Sequence, residues 1–135
     1  MTPSTRSHRK RLGAEERGAA TVEFTMVAAL LVLLTLAAVQ LGLALHVRNS
    51  LIDAASTGAR FGALADRTGA DGAQRTRELL DSSVASSVAR DVRYEQVSTP
   101  EGEVLRITVT AELPLISALP GIEHWEVTAG AYVVE

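Results

Sequence analysis

No cysteine occurs among the 135 residues, which removes disulfide staples, thiolate nucleophiles and cysteine-rich metal sites at once. Aromatic residues are scarce at 4%. None stands within the basic cluster Arg6, Arg9, Lys10, Arg11 and Arg17, whereas a base-stacking surface would interleave aromatics with cations. The cluster is therefore read as a membrane flank and not as a nucleic-acid site. Only three histidines are present: His8, His46 and His124. No two have metal-ligand spacing, and His124, between the acids Glu123 and Glu126, reads as a solvated strand edge. There is no phosphate-binding loop and no dinucleotide fingerprint. Ser82, Ser83, Ser86 and Ser87 lack a nucleophile-elbow context and read as a polar helix face. These absences argue against an enzyme and against a bound cofactor or metal.

The most instructive absence is of charge. From Phe24 to Leu45, 22 successive positions carry no ionisable side chain. As a helix this run extends about 33 Å, enough for the hydrocarbon core of a bilayer. A secretory signal peptide has a shorter apolar core of about 7–15 residues and ends at a small-x-small site, which Leu43-Ala44-Leu45 does not supply. Five basic residues against three acidic ones, Glu15, Glu16 and Glu23, precede the run, whereas eight arginines against thirteen acidic residues follow it. Basic flanks stay in the cytoplasm, so the expected topology is a single pass through the cytoplasmic membrane, N-terminus inside and C-terminal domain outside.

Three segments are expected: a basic, unstructured leader at 1–18, a long helix at 19–64 with its membrane part at about 24–45, and a small extracytoplasmic α+β domain at 65–135. Helix formers continue past the membrane boundary to Leu64, and Ala54, Gly58 and Gly62 recur every fourth residue on one face. Such a stripe lets a second backbone approach closely, either that of this chain's own domain or that of another subunit. Ala65–Gly72 reads as a break, and Ala73–Arg90 as a second helix. Val92–Ser98 reads as a weak strand, Thr99–Gly102 as a turn, and Val104–Ala111 as a strand with Leu105, Ile107, Val109 and Ala111 on one face. Leu113–Ile122 is broken by Pro114 and Pro120, and Trp125–Val134 alternates again. The domain is thus a helix with a three-stranded antiparallel sheet whose apolar face lies on the extension of the long helix.

One acid breaks the apolar pattern. Glu23 is the single charge between Gly18 and Leu45, and a carboxylate at the mouth of a membrane span is by default functional. Cleavage after Gly18 would place a new ammonium on Ala19 and make Glu23 the fifth residue, about 6 Å along the helix axis.

This arrangement of basic leader, Gly18, Glu23 and long apolar helix resembles the class III signal of type IV pilins and pseudopilins. The stretch RGAATVEFTMVAALLVLLTLAAVQLGLALHVRNSLIDAASTGARFGALA is similar to TadE-like proteins of tight-adherence (Flp) pilus systems, and ITVTAELPLISALPG resembles them more loosely. The resemblance implies cleavage between Gly18 and Ala19 by a prepilin peptidase. It also implies an assembly or processing role for Glu23, and the function of a minor pilin or pseudopilin. The implied partners are membrane lipid, other pilins and the inner-membrane assembly platform. Ala19 stands where many type IV pilins carry Phe, a departure that fits a TadE-like protein better than a major pilin. The competing expectation is an uncleaved, single-pass tether for a binding or envelope-structural module.

Overall fold

The computed structural model describes residues 5–83, 85–112 and 124–135, which form α1 (Thr5–Gly62), α2 (Gly69–Asp81), β1 (Ala89–Thr99), β2 (Gly102–Glu112) and β3 (His124–Tyr132). The chain divides into two compact units, Met1–Gly42 and Leu43–Glu135. The fold is α+β, as the sequence predicts: a long apolar N-terminal helix, a second helix and an antiparallel sheet of order β1-β2-β3.

In the second unit the sheet and both helices share one core. Val47, Leu51, Ala54, Ala55 and Ala59 of α1 meet Ala73 and Leu80 of α2, and Ile107, Val109, Ala111 and Val127 of the sheet. The predicted β2 face is the one buried. Leu105, Ile107, Val109 and Ala111 are fully inaccessible, while Arg106 between them points to solvent and meets Glu95 of β1 at 3.0 Å. Alternation of period two turns one set of side chains inward and the other outward. Gly102 closes the β1–β2 turn at φ 139°, a conformation other residues rarely adopt.

Three boundaries differ most from the sequence reading, beside shifts of one to three residues at the end of α1 and in the strands. Thr5–Gly18, expected without structure, continues α1. Its Arg, Ala, Leu and Glu residues are good helix formers, so the two glycines cost helicity without ending it. The second helix begins at Gly69 instead of Ala73, because Thr68 and Asp71 form a reciprocal capping box. It stops at Asp81 instead of Arg90 because serine hydroxyls take the terminal carbonyls: Ser82 Oγ donates to Leu79 O at 3.0 Å and Ser83 Oγ to Leu80 O at 2.9 Å. Such local bonds offer the backbone an alternative to the helix. Beyond this cap the chain enters β1 at Ala89, with a register irregularity between Ala89 and Asp91. Val134 N–H leaves the sheet and donates to Ala63 O at 2.9 Å, fastening the C-terminal segment to the end of α1. The loop read at Leu113–Ile122 lies outside the described residues.

Within the capping box, Thr68 N–H donates to Asp71 Oδ2 at 2.8 Å and the Thr68 hydroxyl to the same oxygen at 2.9 Å, while Asp71 N–H donates to Thr68 Oγ1 at 3.2 Å. The backbone bond from Thr68, then its hydroxyl, hold the Asp71 carboxyl below the ordinary aspartate range, with a lesser contribution from Arg67. A carboxyl depressed by folding stabilises above its unfolded pKa and loses that contribution as pH falls through the folded value. Thermal unfolding of the full chain in detergent should therefore show a destabilisation on acidification below about pH 4. Thr68→Ala is expected to cost about 1 kcal/mol at neutral pH and to shrink the acid-induced change. Because alanine keeps the backbone N–H that bonds Asp71, the deciding variant is Asp71→Asn: an unaltered acid slope there would remove the capping box as its source.

Candidate functional site

Gly18, Ala19 and Glu23 all lie on α1 in the first unit, and all three are exposed. A side chain built at Gly18 would meet nothing within 4 Å. Around it two threonine hydroxyls bond back to the helix. Thr21 Oγ1 donates to Arg17 O and Thr25 Oγ1 to Thr21 O, both at 2.8 Å. Each bond returns a hydroxyl to the carbonyl four residues earlier, satisfying it within the helix. Glu23 makes no hydrogen bond or ion pair among the described residues.

From Phe24 onward the helix shows apolar surface on every side. Phe24 is 75% exposed, and the successive residues Leu30, Leu31, Val32, Leu33 and Leu34 are each between 57% and 66% exposed. Five consecutive positions sweep more than a full helical turn, so no single neighbouring surface could cover them. A helix that is apolar all round belongs in a protein core or a bilayer, and these residues are outside the core. Among the described residues this is the one helix long and apolar enough to cross a membrane. It suggests a membrane anchor.

The small-residue stripe lies in the second unit. Ala54, Gly58 and Gly62 are buried, and α2 of the same chain runs across them. A side chain at Gly58 would clash with the Thr76 hydroxyl and stand 2.6 Å from Gly72 O, while one at Gly62 would stand 2.9 Å from Gly72 Cα and from Thr68 O. Thr76 is wholly buried, and its hydroxyl donates to Gly72 O at 3.0 Å, with Ala54 O a further acceptor at 3.4 Å. Gly72 and Thr76 are the half of this contact that the sequence reading overlooked. Their spacing of four on α2 matches that of Gly58 and Gly62 on α1 and is the signal that could have paired them.

His46 is exposed at the apolar boundary. His124 is exposed as well, with Nδ1 3.7 Å from Glu112 Oε1, a separation suited to attraction when the ring is protonated but too long for a hydrogen bond. The described residues contain no group of His, Asp or Glu side chains placed to hold a metal ion. The side chain of His8 and all of Glu123 lie outside the described residues.

Comparison with known proteins adds one finding: residues 18–60 match the family model described as TadE-like protein, as the sequence resemblance implied. The matched segment opens at the glycine before the apolar helix and closes within the Ala/Gly/Arg stretch that packs on α2. Nothing among curated proteins or solved structures matches the chain.

Proposed function

We propose that this chain, TadE-like over residues 18–60, is a membrane-anchored minor pilin or pseudopilin that supports assembly of Flp/Tad type IV pili. The observation that carries the reading is the exposed, all-round apolar helix with one carboxylate, Glu23, at its mouth, inside the matched segment. In this reading the apolar helix holds the protein in the cytoplasmic membrane, with the basic leader inside and the α+β domain outside. A prepilin peptidase removes residues 1–18. Its target bond follows a glycine with open space around it, and glycine is the residue, after proline, that least favours a helix interior. Local unwinding at Gly18 is therefore less costly than at its neighbours.

Cleavage leaves an ammonium on Ala19 and a carboxylate on Glu23, one helical turn apart. The carboxylate of one chain then pairs with the ammonium of a neighbour displaced along its axis. In a medium of low dielectric an unpaired charge is so costly that such a pair fixes register. The neighbours are other pilins, and the inner-membrane platform is the machine that stacks them.

Mass spectrometry of protein purified from membranes tests the reading. The mature N-terminus is expected at Ala19, and Gly18→Leu should leave the longer, unprocessed species as the dominant form. A wild-type chain that begins at Met1 or Thr2 in cells with an active prepilin peptidase would sink the processed-pilin reading and favour a simple membrane tether.

A further inference from the structure

The polar side chains within the apolar stretch of α1 fall into two kinds. Thr25 and Thr35 satisfy their own hydroxyls, donating at 2.8 Å to the carbonyls of Thr21 and Leu31. Gln40 does not. Its carboxamide offers two donors and an acceptor, is exposed, and makes no hydrogen bond among the described residues. It stands five residues before Leu45, about 7.5 Å inside the boundary of the apolar run. An unpaired amide at that depth loses its water bonds and gains none from lipid tails, a cost that drives it to find a polar partner.

We propose that Gln40 pairs with the Gln40 of a second copy of this chain in the membrane. The proposal rests on the membrane-anchor reading above. Two chemical arguments and one feature of the helix surface favour a second copy. A primary amide is self-complementary, so across a two-fold axis each donates an N–H to the other's carbonyl. Two copies inserted the same way hold residue 40 at the same depth. Ala37, one turn earlier on the same face, lets two helices approach closely, while Leu33 and Leu36 beside it, 64% and 53% exposed, supply apolar surface for a neighbour.

The chain has no cysteine, so Asp66→Cys in the exposed turn after α1 gives a single site for donor and acceptor dyes. The labelled full chain is placed in vesicles of phosphatidylethanolamine and phosphatidylglycerol, and energy transfer is followed as lipid is added. Transfer above random encounter is expected, falling as the protein is diluted in lipid. Gln40→Leu should weaken association by about three- to tenfold, and Gln40→Asn should retain most of it. Transfer no greater than random encounter, or a Gln40→Leu curve that overlays the parent, would overturn the pairing. Flotation separates the two ideas: a chain that floats with vesicles yet shows no dependence on Gln40 overturns the pairing alone, whereas a chain that does not float overturns the anchor as well.

Discussion

Gly58→Ala is expected to be among the most destabilising single-methyl changes in the protein. In an isolated helix the same change would stabilise by roughly 1 kcal/mol, since alanine is the better helix former. Here the added carbon would meet the Gly72 carbonyl oxygen at 2.6 Å and the buried Thr76 hydroxyl. Thr76 can rotate only by giving up its bond to Gly72 O, and the carbonyl is backbone, so relief requires α1 and α2 to separate. That movement opens the core shared by Ala55, Ala59 and Ala73. Overpacking of this kind typically costs about 1–3 kcal/mol, and a backbone obstacle places Gly58→Ala toward the upper end. Unfolding followed by the fluorescence of Trp125, the single tryptophan, should show a midpoint lowered on the order of 10 °C, given about 4–8 °C per kcal/mol for a domain of this size. Gly42→Ala is the control. Nothing lies within 4 Å of a side chain there, so its midpoint should hold or rise. If the two variants behave alike, the close approach of α1 to α2 does not limit stability.

The same contact shows where sequence reading succeeds and where it stops. The spacing of Ala54, Gly58 and Gly62 marks a face that another backbone can approach, but spacing alone does not say whose. The answer needed α2 to be placed, and its start depends on Thr68 and Asp71, two polar residues inside a stretch that composition marks only as a turn. Its end depends on serine hydroxyls that compete with the backbone, an effect invisible to hydrophobic period. The β2 strand was legible because Leu105, Ile107, Val109 and Ala111 alternate with polar residues across a half-buried sheet. β1 was legible only in part, since its inner residues include Tyr94, Gln96 and Ser98, with Val92 the one buried among them. The apolar helix was legible for the opposite reason: its pattern is uniform, with no face to assign. The continuation of α1 back to Thr5 is hard to see in sequence because its charges and two glycines resemble a leader, although most of its residues favour a helix. Glu23 was legible as a candidate site because one charge stands alone in a long apolar background, although nothing in spacing identifies its partner.

Replacing Glu23 by leucine should separate membrane insertion from assembly, with the larger effect on assembly. The substitution removes the only charge between Gly18 and Leu45, so partition into the bilayer is unchanged or improved. The second unit should be unaffected, since Glu23 lies outside its core and makes no bond among the described residues. In the proposed mechanism the loss falls on the neighbour: an ammonium on the displaced chain's Ala19 is left without its carboxylate in a medium of low dielectric. Breaking one side of such a pair costs about 3–5 kcal/mol, which corresponds to at least a hundredfold in an association limited by that contact. Pili sheared from cells carrying Glu23→Leu should fall to a few per cent or less of the wild-type amount, while the membrane fraction holds normal levels of the chain. Glu23→Asp keeps the charge one methylene shorter and should restore part of the yield. Mass spectrometry of the same membranes shows which step is lost. A mature terminus at Ala19 with few pili places Glu23 in assembly, and a retained leader places it in recognition by the peptidase. Wild-type piliation in Glu23→Leu would remove the carboxylate from both steps and leave the helix as an anchor alone.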